Sequence, residues 1–178
     1  MKQHLLWLRS ETIPPIKGID KKLVISATHA LEIEDQLKGN IIILGGGTVG
    51  AEIALEQSLI HKNNVSIIEL GDELATQGNM LYKIGLRQTM EKCESLTTYL
   101  NTQCTEVKDN SVIIKNEAGI IKEIPADKVI VCTGMKSLNI LAESFYGITP
   151  NVTMIGDCVK PRKIMEAVFE GHSIALNL

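Results

Sequence analysis

An α/β fold with a parallel sheet is predicted by three features of the 178-residue sequence. Residues 41–44, Ile-Ile-Ile-Leu, are apolar at every position, as suits a strand buried on both faces of a parallel sheet. A glycine-rich turn follows at once, and then a segment with Val49, Ile53, Leu55, Leu59 and Ile60 at helical spacing. A second apolar run at residues 65–68 comes after His61-Lys62-Asn63-Asn64. Strand, helix and strand in this order make a right-handed crossover, which forces the two strands parallel.

The remaining elements follow in order. Residues 1–38 read as an irregular N-terminal arm and connector. Within it Ile13-Pro14-Pro15 is extended because proline fixes φ and disfavours helix before it. Residues 30–38 suit a short amphipathic helix, ended by Gly39-Asn40. The helix after the glycine turn covers residues 48–62, and another is predicted at residues 82–93. Short strand candidates lie at 96–100, 105–108, 111–115 and 120–124. The turn signals Asp109-Asn110 and Asn116-Glu117-Ala118-Gly119 between them predict an antiparallel β-meander. Buried strands are predicted at 129–132, stopping at Thr133-Gly134, and at 152–155, stopping at Gly156-Asp157. A helix over 163–176 closes the chain.

Composition narrows the function classes. Hydrophobic residues make up 44% and charged residues 22%, as in ordinary globular proteins. A net charge of −3 gives no electrostatic pull toward nucleic acid or an acidic membrane. The apolar runs fall far short of the ~20 residues that span a bilayer. Residues 1–9 lack the core length and cleavage site of a signal peptide, so a cytoplasmic address is expected. Cys93, Cys104, Cys132 and Cys158 include no C-x-x-C pair and share no metal-like spacing with the four histidines. They read as structural thiols; no metal ligand and no catalytic nucleophile is assigned.

Gly45, Gly47 and Gly50 form G-x-G-x-x-G between a buried strand and a helix. In a Rossmann-like domain the first glycine permits the tight turn, the second lets backbone approach a pyrophosphate, and the third lets helix and strand pack closely. The helix N-terminus supplies unpaired N–H groups and a favourable dipole to the phosphate. Gly45, Gly46, Gly47, Thr48, Val49 and Gly50 are therefore the candidate cradle; the plainer alternative is a turn with glycines for packing only. Glu69, at the end of the second strand, stands where an acid hydrogen-bonds the adenosine ribose. A carboxylate there repels a 2′-phosphate, and residues 70–74 offer no Lys or Arg, so NADH is favoured over NADPH. A solvated strand-end acid is the alternative.

The segment Ile155-Gly-Asp-Cys-Val-Lys-Pro-Arg-Lys-Ile-Met-Glu-Ala-Val-Phe-Glu-Gly171, with the Gly45 loop and Thr133-Gly134, resembles the C-terminal part of the multidomain NADH:flavin oxidoreductases. These are the 2,4-dienoyl-CoA reductase, 2-enoate reductase and trimethylamine dehydrogenase relatives. The resemblance runs from about residue 13 to the end. It implies an NAD(H)-binding domain at residues 39–124 and the C-terminal half of an FAD-binding domain at residues 125–178, an incomplete second domain. It also implies that Gly134, Gly156 and Asp157 line an FAD site, with Asp157 on the ribityl or pyrophosphate region. Ile164 and Met165 would then open a helix facing the flavin pyrimidine edge. Glu52 resembles an acid that lies near the nicotinamide, the alternative being a glutamate favoured by the helix dipole. Arg162 either supports flavin charge or lies on the surface.

The sequence also departs from that pattern. It has no barrel, no cysteine cluster for iron–sulfur and no first glycine fingerprint for FAD; residues 1–11 do not read as the expected strand, and Ser137 stands where relatives often carry proline. The chain thus reads as a piece of a larger enzyme, and FAD binding is left open. The expected function is an NADH-binding electron-entry module passing hydride to FAD. A non-catalytic NAD(H)-binding module is the alternative, and a disulfide-reductase-like enzyme lacks its redox cysteine pair. The expected partners are a flavin and iron–sulfur barrel, as domain or subunit, and a second copy in a homodimer that covers orphaned strands 129–132 and 152–155.

Overall fold

A computed structural model of the chain describes residues 9–77, 79–148 and 152–176. In chain order it contains β1 (Arg9–Glu11), β2 (Val24–Ser26), α1 (Ala27–Glu32), β3 (Asn40–Leu44), α2 (Thr48–Leu59), β4 (Asn64–Ile68) and α3 (Met80–Glu91). Then come β5 (Leu96–Tyr99), β6 (Thr102–Val107), β7 (Ser111–Asn116), β8 (Ile121–Pro125), β9 (Lys128–Val131), β10 (Met135–Ser137), α4 (Asn139–Glu143) and α5 (Ile164–Ala175). Two compact units result: Ile13–Thr133, and the described parts of Met1–Thr12 with Gly134–Leu178.

The first unit is built on a five-stranded sheet of order β2-β9-β3-β4-β5, parallel throughout. Alternation along each strand sorts its side chains into two cores. Ile41, Ile43, Val65, Ile67 and Ile130 pack with Ala51, Ile53 and Ala54 of α2 and Leu86 and Met90 of α3. Ile42, Leu44, Ile68, Val129 and Val131 point the other way, onto Cys104, Val107, Val112, Ile114 and Ile124 of the antiparallel meander β6-β7-β8. Apolar runs in β3 and β9 are thus explained by helices on one face and a second sheet on the other. The turn after α2 is fastened by Asn63, whose amide donates to Leu37 O and Gln57 Oε1 and accepts from Gly39 N–H.

Four expectations need correction. Strand 129–132 is not orphaned: β9 lies between β2 and β3, with Val129, Ile130 and Val131 buried. Residues 152–155 form no strand, since among the described residues of the second unit β1 pairs only with β10 and no neighbour takes its ladder bonds. Residues 96–99 leave the meander and pair parallel with β4. The arm is less irregular than expected, contributing β1 and β2. Its helix also begins earlier, at Ala27, because Ser26 Oγ caps the His29 N–H at 3.1 Å, and residues 34–36 make a separate 3₁₀ turn.

In the second unit β1 and β10 form an antiparallel ribbon. Residues 156–158 make a 3₁₀ turn and α5 follows. No residue of α5 is fully buried, and Ile164, Met165, Val168 and Phe169 are exposed.

Candidate functional site

Gly45 follows β3 with φ +103°, and a Cβ there would lie 2.6 Å from Cys132 O. At Gly50 a Cβ would lie 2.1 Å from Gly45 O, so helix and strand meet backbone to backbone. At Gly46 it would strike Leu74 Cδ2 at 2.2 Å. Gly47 differs: a Cβ would meet nothing within 4 Å. Two glycines of the fingerprint therefore serve packing, and the middle one borders open space. Gly47 is also the N-cap of α2 and supplies no side-chain cap. The first-turn amides of a helix have no helical acceptors, so this end is suited to an anion.

Glu69 follows β4 directly. Its Oε2 accepts the Gly46 N–H at 2.5 Å and its Oε1 the Gly71 N–H at 2.7 Å. Each carboxylate oxygen keeps a further acceptor position, so the group is oriented at the mouth of the turn and can still accept from a diol. Below it, Thr102 N–H donates to Glu69 O and Asn101 N–H to Gly71 O, both at 2.9 Å. A cavity of about 200 Å³ opens beside Leu70, with Asn101 and Lys115 in its wall.

How the loop after Glu69 is held has no local signature in the chain. Ala75, at φ +49°, donates its N–H to Gly46 O at 2.8 Å. Thr48 Oγ donates to Gln77 O at 2.9 Å. Arg87 of α3 donates Nε–H to Leu74 O at 2.8 Å and pairs with Glu73. Residues 70–74 carry no cation of their own, but Arg87 reaches them from a distant helix, with its charge directed to Glu73. Val49 is half exposed at the start of α2. Glu52, also exposed, accepts from the Tyr82 hydroxyl, and this carboxylate raises the tyrosine pKa above its ordinary value. Nothing in the spacing of Glu52 and Tyr82 announced that pair.

The other predicted residues lie in the second unit. Gly134, φ +93°, accepts the Thr12 N–H at 2.9 Å. Gly156, φ +61°, donates its N–H to Glu170 at 2.6 Å. That bond, followed by the Arg162 guanidinium, holds the Glu170 carboxyl below the usual range. Asp157 pairs with Arg9 at 2.6 Å and accepts the Arg162 N–H at 3.2 Å. Ile164 and Met165 are exposed, and Glu166 accepts the Lys163 N–H at 3.2 Å, capping α5 with its own carboxylate. The glycine turn thus presents an open, uncapped helix end that fits a dinucleotide. In the second unit the Gly156 N–H and the Asp157 carboxylate are engaged by Glu170, Arg9 and the Arg162 N–H.

Comparison with known proteins agrees with this architecture. The profile described as pyridine nucleotide-disulphide oxidoreductase matches residues 9–171. A metal reductase of Desulforamulus reducens is 30% identical over 195 residues, covering 92% of this chain and 28% of that protein. A bilirubin reductase of Mediterraneibacter gnavus is 29% identical over 164 residues, covering 92% of this chain and 25% of that protein. The chain therefore spans about a quarter of the length of these curated relatives. A solved structure of 2-naphthoyl-CoA reductase in complex with 2-naphthoyl-CoA superposes with a TM-score of 0.86 at 28% identity, over 96% of this chain and 26% of that one. No described helix is long and apolar enough to cross a membrane, and the four cysteines form no disulfide. With the parallel sheet, the glycine turn and the matched profile in agreement, the chain belongs to the pyridine nucleotide-disulphide oxidoreductase family, which binds FAD and NAD(P).

Proposed function

We propose that this chain is the NADH-binding electron-entry module of a flavin-dependent oxidoreductase of the NADH:flavin type, acting with a flavin-bearing domain or subunit. The observation that carries this reading is the glycine turn: Gly47 borders open space at an uncapped helix end while Glu69 is oriented beside it by two backbone amides. The α2 N-terminus would bind the pyrophosphate, and Glu69 would accept from the ribose diol and disfavour a 2′-phosphate. NADH supplies the hydride, which the flavin takes up. The reductase relatives support this placement.

Flavin-free protein should oxidise NADH far more slowly than the ~1 s⁻¹ usual for enzymes, with only weak stimulation by added FAD. Steady turnover at or above that rate without flavin would overturn the reading. The internal pairing of Gly156 and Asp157 favours a second reading, a non-catalytic NAD(H)-binding module. Bound flavin decides between them: yellow purified protein supports electron entry, colourless protein the bare module. We also propose a homodimer. Its basis is no longer an orphaned strand but the exposed Ile164, Met165, Val168 and Phe169 of α5.

A further inference from the structure

The end of α2 remote from the glycine turn carries a second cluster. Glu34, in the 3₁₀ turn, Glu56, in the last turn of α2, and His61, just beyond it, bring one ligand-type atom each within 4.8 Å of one another. The sequence spacing contains no metal pattern; the fold assembles this one. Its backbone is fixed: Gln57 Nε2 donates to Glu34 O at 3.3 Å, and His61 N–H donates to Glu56 O at 3.3 Å.

Two observations single the cluster out from ordinary surface acids. His61 has a side chain only 9% exposed, its Nδ1 lies 3.6 Å from Asp35 Oδ1, and its Nε2 is buried without a hydrogen-bond partner. Neither the Glu34 nor the Glu56 carboxylate is engaged by any described protein group. Two carboxylates at the negative end of a 12-residue helix repel each other and the helix dipole. A buried polar nitrogen left unpaired adds its own desolvation cost. One dication bound between these groups removes both penalties.

We propose that Glu34, Glu56 and His61 form a divalent-metal site of zinc type. One imidazole nitrogen and two carboxylate oxygens are a donor set that Zn²⁺ accepts at ~2.0–2.2 Å. At ~1.5 Å rise per residue, α2 separates Glu56 from Gly47 of the glycine turn by about 14 Å. The metal therefore fastens the 34–36 turn to the end of α2 and takes no part in nucleotide binding.

The test uses the full chain, stripped with a chelator and titrated with Zn²⁺ alone by calorimetry and thermal unfolding. The expected result is one Zn²⁺ per chain, a raised Tm, and affinity weakened about 10-fold or more in both Glu56→Gln and His61→Gln. Glu56→Gln replaces a partly exposed carboxylate with its isostere, so it reports on binding even where His61→Gln fails to fold. NADH affinity should be unchanged in Glu56→Gln. The Co²⁺ form should show d–d absorption without a thiolate charge-transfer band. The proposal is overturned by absence of saturable binding, by undiminished affinity in folded Glu56→Gln, or by a thiolate band assigning the metal to the cysteines.

Discussion

Gly47 and Gly50 belong to one fingerprint, yet their replacements should fail in opposite ways. Gly47 has φ −63° and ψ −179°, an extended conformation open to any residue, and a Cβ there meets nothing within 4 Å. Gly47→Val should therefore cost only the lost N-cap preference, about 1 kcal/mol or less, or a Tm change of about 4 °C at most in a chain of this size. Its methyl groups would occupy the approach to the first-turn amides. Losing two amide-to-phosphate hydrogen bonds, at about 1.5–3 kcal/mol each for a charged acceptor, weakens NADH binding about 100-fold or more. Gly50→Ala instead drives Cβ to 2.1 Å from Gly45 O, backbone against backbone. Overpacking of about 3 kcal/mol lowers Tm by about 6–12 °C. Thermal unfolding by circular dichroism, paired with calorimetric titration of NADH, separates the two. A Gly47→Val protein that binds NADH normally, or that is destabilised as much as Gly50→Ala, would refute the assignment of the cradle.

Glu69→Gln should narrow the preference for NADH over NADPH, because the amide no longer repels a 2′-phosphate; an unchanged affinity ratio would remove Glu69 from the explanation. Burial pushes the Cys104 thiol up to about 11 from an ordinary 9.0. The unfolded chain then loses this proton before the folded one does, so its contribution to stability is intact below pH 9 and declines as pH rises toward 11. Comparing urea unfolding of wild type and Cys104→Ala across that window checks it, and parallel pH profiles would contradict it. Light scattering at micromolar concentration should show a dimer that Phe169→Glu converts to monomer; a monomeric wild type would rule out self-association through α5.

The βαβ core was legible because its signals are local. Strand, glycine turn and helix adjoin in sequence, and Glu69 sits one residue beyond the strand that positions it. What was missed depends on contacts between distant segments. Whether residues 128–131 are orphaned or central turns on β2 and β3, more than 80 positions away and silent in the run itself. Residues 96–99 are apolar only at the ends, so nothing local distinguished a parallel edge strand from a meander strand. Residues 152–155 look like a strand by composition but pair with no strand among the described residues. Arg87 with Glu73, Tyr82 with Glu52 and His61 with Glu34 are likewise brought together by helix packing, which leaves no spacing rule to read.

The Gly47 turn and Glu69 are proposed to hold NADH. Calorimetric titration of the purified protein with NADH and NADPH under identical conditions tests it most directly. Saturable binding of one NADH per chain is expected, with NADPH at least about 10-fold weaker, a difference of ~1.4 kcal/mol. Equal affinity for the two nucleotides would contradict the role given to Glu69, and absence of binding to either would contradict the site itself.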